Sequence, residues 1–517
     1  MQTVRQFFRG LRRLVWPVQR SEFKKVILFF SLLFFICISY SILRNLKDTL
    51  VLTGKGSGAE IIPFLKVWGI LPAVFGATWL YTRLSRVFSK EAVFYLVLGG
   101  FVSFFLAFCF LIYPNLTSLC LDQHSFSNVP KGLSGFVAMI CNWPLSLFYV
   151  IAELWSVLLL TVVFWGFTND VFGIKEAKRT YGILNMGSNV APIFSGIVAL
   201  FLASHLPLPA SWTVDTFHGN LIKLIVAVSL ASVVAACLFW VINRYVLRTE
   251  FHFFTQKETQ EGVQLPRKPK LSMRASFKAI SQSPYLILLA LIVVSYNIAI
   301  NFTDVLWKQQ LKEYFKDPSD LLTHMNLVSF GTGIFAVLGA LFFSALVHRF
   351  GWTFTAILTP VLMSALAIGF FSCYFYGYAL SGLTFALFGL SPLALTAYFG
   401  SWQNVLSKAG KYSIFDATKE LAFVPLSTDE RLKGKAAIDG LGAGVGKSGA
   451  SLLYQGLLLS FGTVGASSPI IAGILILVLS VWLASVVLLG KRFTALIVHE
   501  ESVPAAEQPV HAVTTSP

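Results

Sequence analysis

Ser39-Tyr-Ser-Ile-Leu-Arg-Asn-Leu-Lys-Asp-Thr-Leu50 and Ser295-Tyr-Asn-Ile-Ala-Ile-Asn-Phe-Thr-Asp-Val-Leu306 are near copies of one another. Ser, Tyr, Ile, Asn, Asp and Leu recur in register at an offset of 295 minus 39, or 256, about half of the 517 residues. Both copies close a long apolar run and end in charges that hydrocarbon penalises. The pattern describes a duplicated membrane protein whose duplicated place is also a candidate working site.

Composition agrees. The mean hydropathy is +0.72, with 56% hydrophobic and 12% charged residues, against about 25% charged in soluble domains. The net charge of +16 is scattered between apolar runs rather than gathered on one polar domain, so it points to membrane topology and not to nucleic acid. The six cysteines have no metal-like spacing, and only Cys120 and Cys141 are placed to bridge an outer loop.

Runs long enough to cross the hydrocarbon, about 20 residues each, fall near 26–45, 61–82, 92–113, 144–168, 180–203 and 220–242, then 285–304, 321–347, 353–376, 384–405, 436–460 and 468–490. This implies a basic cytoplasmic N-terminus over 1–25, six-helix bundles over 26–242 and 285–490, a cytoplasmic linker over 243–284 and a disordered cytoplasmic tail from 491. Basic residues in the short loops place both termini on the cytoplasmic side. Trp68, Trp143, Trp155, Trp165, Trp307, Trp352, Trp402 and Trp482 sit in or beside the apolar runs, where interfacial belts would put several of them. The fold class is all-α integral membrane: twelve transmembrane helices in two six-helix halves, as in the major-facilitator architecture, with a site near the midplane between the halves.

The candidate site is a set of charges. Arg44, Lys47 and Asp48 share one face where span one ends, and Arg44 and Asp48 read equally well as a snorkelling cluster at the outer interface. Lys47 faces a neutral Thr303 in the second copy, a cation on one side of a pseudo-symmetric cavity. Glu153 lies about nine residues into span four, too deep to snorkel; the alternative to a functional role is a structural ion pair. Asp304 matches Asp48, and Lys308 four residues on suits an ordinary surface pair. Lys447 sits in a glycine-dense stretch that fails as a phosphate-binding Walker loop, because position 441 is leucine; a tight helix crossing with Lys447 paired to a carboxylate such as Glu153 is the alternative. Cations converging with carboxylates suit a polyanion. No nucleophile–base pair, metal cluster or cofactor motif competes, so no cofactor is expected and neither is nucleic acid.

The stretches Leu43–Leu50, Gly56-Ser-Gly-Ala-Glu60, Ala152-Glu-Leu-Trp155, Phe164-Trp-Gly-Phe167, Trp307-Lys308, Gln403-Asn404, Phe415–Glu420, Lys435-Ala-Ala-Ile-Asp439 and Gly446-Lys-Ser-Gly449 carry a resemblance. From Trp16 to about Lys491 the chain resembles the nucleotide transporters, or ADP/ATP translocases, of chlamydiae, rickettsiae and plant plastids. The resemblance implies a major-facilitator-like fold, exchange of ATP for ADP across a bacterial inner membrane, and four essential charges falling on Lys47, Glu153, Asp304 and Lys447. Asp304 stands where the exchangers carry Glu, and Asn45 where the chlamydial exchanger carries Asp. Other members import nucleoside triphosphates with protons or exchange NAD for ADP, so protons are a candidate partner beside nucleotide and membrane lipid. From another class, a polytopic enzyme acting on a phosphorylated lipid would form product without moving solute.

Overall fold

A computed structural model describes residue 19 and residues 22–247 and 280–502, apart from 127, 207, 380, 436 and 439–442. Nearly all of the expected basic N-terminus before residue 22, most of the linker, the first part of the glycine-dense stretch and the tail beyond 502 lie outside the described residues.

The described residues form twelve long helices: α1 Phe23–Thr53, α2 Ile61–Val87, α3 Lys90–Leu119, α4 Trp143–Val171, α5 Ile174–His205, α6 Thr216–Val246, α7 Pro284–Tyr314, α8 Pro318–Phe343, α9 Ala345–Tyr376, α10 Pro392–Gly410, α11 Ala443–Phe461 and α12 Val464–Ser502. Ten of them contain stretches long and apolar enough to cross a membrane. The exceptions, α10 and α11, have 19 residues each and polar faces, such as buried Ser401, Gln403, Asn404 and Ser407 on α10.

Local chemistry sets several helix starts. At Ser283-Pro284 and Ser391-Pro392 the serine hydroxyl accepts a first-turn N–H, from Leu286 at 3.4 Å and Ala394 at 3.2 Å. Asp317 before Pro318 accepts from Ser319 at 2.6 Å and Asp320 at 3.3 Å. Serine or aspartate at the cap followed by proline is a strong start signal. The same signal corrects the expected tenth span: 384–405 divides into a short helix, Ser381–Phe388, and α10, which runs five residues past the expected end.

Inside the helical run Pro318–Tyr376 the backbone breaks at Gly351, with φ 79° and ψ 174°. A Cβ there would meet nothing within 4 Å, so Gly351→Ala isolates backbone strain. Thermal unfolding in detergent is expected to show a loss of about 1–3 kcal/mol, the cost of a glycine-only conformation.

α1 and α7 are equivalent in the repeat, 31 residues each, and are the most buried spans. The eight tryptophans in or beside the apolar runs divide, Trp68, Trp143 and Trp402 being exposed. Trp155, Trp307, Trp352 and Trp482 are core residues, and three of their indoles donate inside the bundle, Trp155 to the Ile36 carbonyl at 3.1 Å, Trp307 to Ser401 at 3.0 Å and Trp352 to the Thr418 carbonyl at 2.9 Å. Cys120 and Cys141 are neighbours but carry free thiols.

The halves meet unevenly along their depth. On the side where α1 ends, the Lys312 ammonium donates to the Ser57 carbonyl, the Ala59 N–H to Gln309 (3.4 Å), Trp68 to Gln455 (3.2 Å) and Gln455 to the Pro63 carbonyl (2.9 Å). On the basic side, where α1 begins, the partners belong to one half: Lys25 with Glu176 at 3.1 Å, Arg179 with Glu22, and Lys90 with Asp170 at 2.8 Å. Among the described residues every hydrogen bond between halves lies at the level of Arg44 and Ser329 or beyond it toward the far side. The bundle is closed at the far side.

Candidate functional site

At the seam the charges form one string. Lys47 Nζ lies 3.2 Å from Glu153 and 3.3 Å from Asp48, and 3.7 Å above the centre of the Tyr149 ring. Asp48 continues to Lys308 at 2.9 Å. Lys308 holds Asp304 at 2.7 Å, and Asp304 also takes Lys408 at 3.3 Å and the Asn404 amide at 3.1 Å. The aspartates that match in the repeat, Asp48 and Asp304, therefore share one lysine.

The helices carry these groups for identifiable reasons. Glu153 is on the last regular turn of α4 before a π-helical stretch, Ser156–Phe164; Lys66 is in another, Leu65–Ile70, and Lys408 is on the last regular turn before a third, Lys411–Phe415. Such widened turns shift a helix face locally and are frequent at functional sites. On α11, Gly446 packs against α7: a Cβ there would sit 2.6 Å from Asn297 Cβ. That close approach brings Lys447 next to the site.

Burial decides two open readings. Lys47 and Asp48 are 4% and 5% exposed, so they do not snorkel to an interface. They lie roughly 8–9 Å before the end of α1 at 1.5 Å per residue, inside the bundle, because α1 extends to Thr53. Arg44 also turns inward, its guanidinium 3.4 Å from Ser329 of α8, while Asn45 exchanges hydrogen bonds with Asn326 (2.8 Å) and Ser329 (3.0 Å). Lys447 is exposed and has no ion pair among the described residues; it acts on Glu153 only through space, since Glu153 pairs with Lys47.

Three cations escape the sequence reading. Lys308 is no surface partner of Asp304 but is 4% exposed. Lys408 belongs to the last turn of α10, not to a basic loop. Lys66 reaches Asn301 of α7 and lies within electrostatic range of Asp304, Lys308, Lys47 and Asp48. Around the seam six cations (Arg44, Lys47, Lys66, Lys308, Lys408, Lys447) face three carboxylates (Asp48, Glu153, Asp304), a surplus of three positive charges. The cavity among Arg44, Asp48, Trp307, Lys308, Asn404 and Lys408 is small, about 20 Å³, against about 300 Å³ or more for ligand pockets. The Asn404 side-chain oxygen in its wall is buried without a partner.

Two pseudo-equivalent helical halves with opposed charges at their seam have the architecture of a membrane transporter, and the family match below makes the chain one. The major-facilitator-like fold is shared with the crystal structure of a D-xylose–proton symporter, with a TM-score of 0.53 at 14% identity, covering 90% of this chain and 96% of that one. The TLC ATP/ADP transporter family model matches residues 1–493, and the chain belongs to that family. It is 41% identical over 500 residues to ADP,ATP carrier protein 1 of Chlamydia trachomatis, covering 96% of this chain and 93% of that protein. It is 38% identical to the chloroplastic ADP,ATP carrier protein 1 of Arabidopsis thaliana, covering 94% of this chain and 77% of that one.

Proposed function

We propose that the protein exchanges ATP for ADP by alternating access across a bacterial inner membrane, with both termini cytoplasmic. The observation that carries this reading is the surplus of three positive charges around the seam, with Lys447 exposed beside the buried string. ADP and ATP bring about three and four negative charges, and lysines take phosphate as point charges. Family membership supports nucleotide as the substrate.

The small cavity and the closed far side support a cycle in which the halves rock about the charge string. Exchange of ATP(4−) for ADP(3−) moves one net charge, worth about 2.3 kcal/mol per 100 mV, so the membrane potential biases direction. On this reading Lys47, Lys308, Lys408, Lys66, Arg44 and Lys447 attract the phosphates. Glu153, Asp48 and Asp304 hold the lysines in place between substrates.

Uptake of labelled ATP, GTP, UTP, CTP and NAD into bacterial cells expressing the protein, with and without an uncoupler, tests it. ATP and ADP uptake that accelerates efflux of preloaded label is expected. Uptake that ignores internal nucleotide and collapses with the uncoupler would establish proton symport instead. Glu153→Gln is expected to abolish exchange in protein that still inserts, because Lys47 keeps Asp48 as a partner. Normal uptake by this variant would reduce Glu153 to a structural role.

A further inference from the structure

The charge string joins the two halves at one point. Of the salt bridges between described residues, only Asp48–Lys308 crosses from one half to the other. On the first-half side Asp48 also holds Lys47, which holds Glu153. On the second-half side Lys308 also holds Asp304, which holds Lys408. Both members of the crossing pair are at least 95% buried.

We propose that Asp48–Lys308 is a latch that denies the unloaded carrier its conformational change and so enforces exchange. This rests on the exchange reading above. Parting the halves at this level takes one of two ionic partners from each buried charge, Asp48 being left with Lys47 and Lys308 with Asp304, and costs about one charge-assisted contact. A polyphosphate supplies the replacement: it gives Lys308 a new anion, while Asp48 keeps Lys47. Loaded carrier can therefore switch, whereas empty carrier is held. A ligand shifts a conformational equilibrium only through such differential contacts, and the latch provides one. Asp48, a carboxylate, is then not a phosphate contact but the group that phosphate displaces from Lys308.

Asp48→Asn separates the latch from folding, since Lys47 keeps Glu153 and Lys308 keeps Asp304. Vesicles containing purified protein are preloaded with labelled ADP, and efflux is compared with and without ATP outside. In wild type, efflux into nucleotide-free medium is expected to be a small fraction of exchange. In Asp48→Asn that fraction is expected to rise about tenfold, matching loss of a single charge-assisted contact. Lys308→Gln provides a second route, because Asp48 keeps Lys47 and Asp304 keeps Lys408; it should leak similarly and bind nucleotide more weakly. An unchanged ratio in both variants would overturn the latch. So would complete loss of both fluxes in a correctly inserted Asp48→Asn, which would make Asp48 part of substrate binding itself. A wild type that moves no nucleotide, or moves it equally well without counter-substrate, would instead overturn the exchange reading.

Discussion

Replacing Asp304 by alanine is expected to abolish transport and to lower stability by about 3 kcal/mol, near the lower end of the range for breaking a buried ion pair from one side. The side chain is 11% exposed and serves three donors at once: Lys308 at 2.7 Å, Lys408 at 3.3 Å and Asn404 at 3.1 Å. Lys308 retains Asp48 after the substitution, but no other carboxylate pairs with Lys408 among the described residues. Lys408 is partly exposed, with 23% of its side chain accessible, which keeps the penalty low in the range. Thermal unfolding in detergent and vesicle transport measure the two effects separately. Asp304→Glu restores the charge on a side chain one methylene longer and should recover most of the stability. Its exchange activity and nucleotide spectrum then report whether carboxylate reach at this position sets the mode of transport. Full activity in Asp304→Ala would remove Asp304 from the working site.

The aspartates show what a sequence can and cannot carry. The repeat made Asp48 and Asp304 visible as equivalents, and the depth of Glu153 in an apolar run marked it without any tertiary knowledge. Neither argument reaches Lys308, whose i,i+4 spacing from Asp304 is the same for an exposed helix pair as for a buried one. Its second partner, Asp48, lies in the other half of the chain. Lys408 was hidden by a helix boundary: ending the tenth span at 405 assigns it to a basic loop, while α10 continues through Gly410. Lys66, near the start of an apolar run, has the pattern of a residue flanking a span, yet it sits in a π-helical segment turned toward Asn301. In each case periodicity located the helix, and helix packing, which is not a local property, decided whether its charge meets lipid headgroup, water or another charge.

Lys47 and Lys447 should separate binding from stability. On the proposed reading each contributes a cation to the phosphates, so alanine at either should weaken ATP and ADP binding by about 1.5–3 kcal/mol, the range for hydrogen bonds to charged groups, or roughly tenfold to a hundredfold in affinity. Their settings differ. Lys47 is 4% exposed, pairs with two carboxylates and lies over Tyr149. Its loss strips Glu153 of a partner and leaves Asp48 only Lys308, so Lys47→Ala should also unfold at lower temperature. Lys447 is exposed, with no ion pair among the described residues to be broken. Lys447→Ala should therefore lose nucleotide affinity at an unchanged melting temperature. Arginine at position 47 keeps the charge, but its planar fork cannot reproduce a point charge between Glu153, Asp48 and the Tyr149 ring, so transport should stay low. Binding of ATP, ADP and adenosine to the purified variants makes the decision, since adenosine lacks phosphate and should bind each variant as it binds wild type. Equal loss for adenosine, or no loss for ATP, would mean that these two lysines do not hold the phosphates.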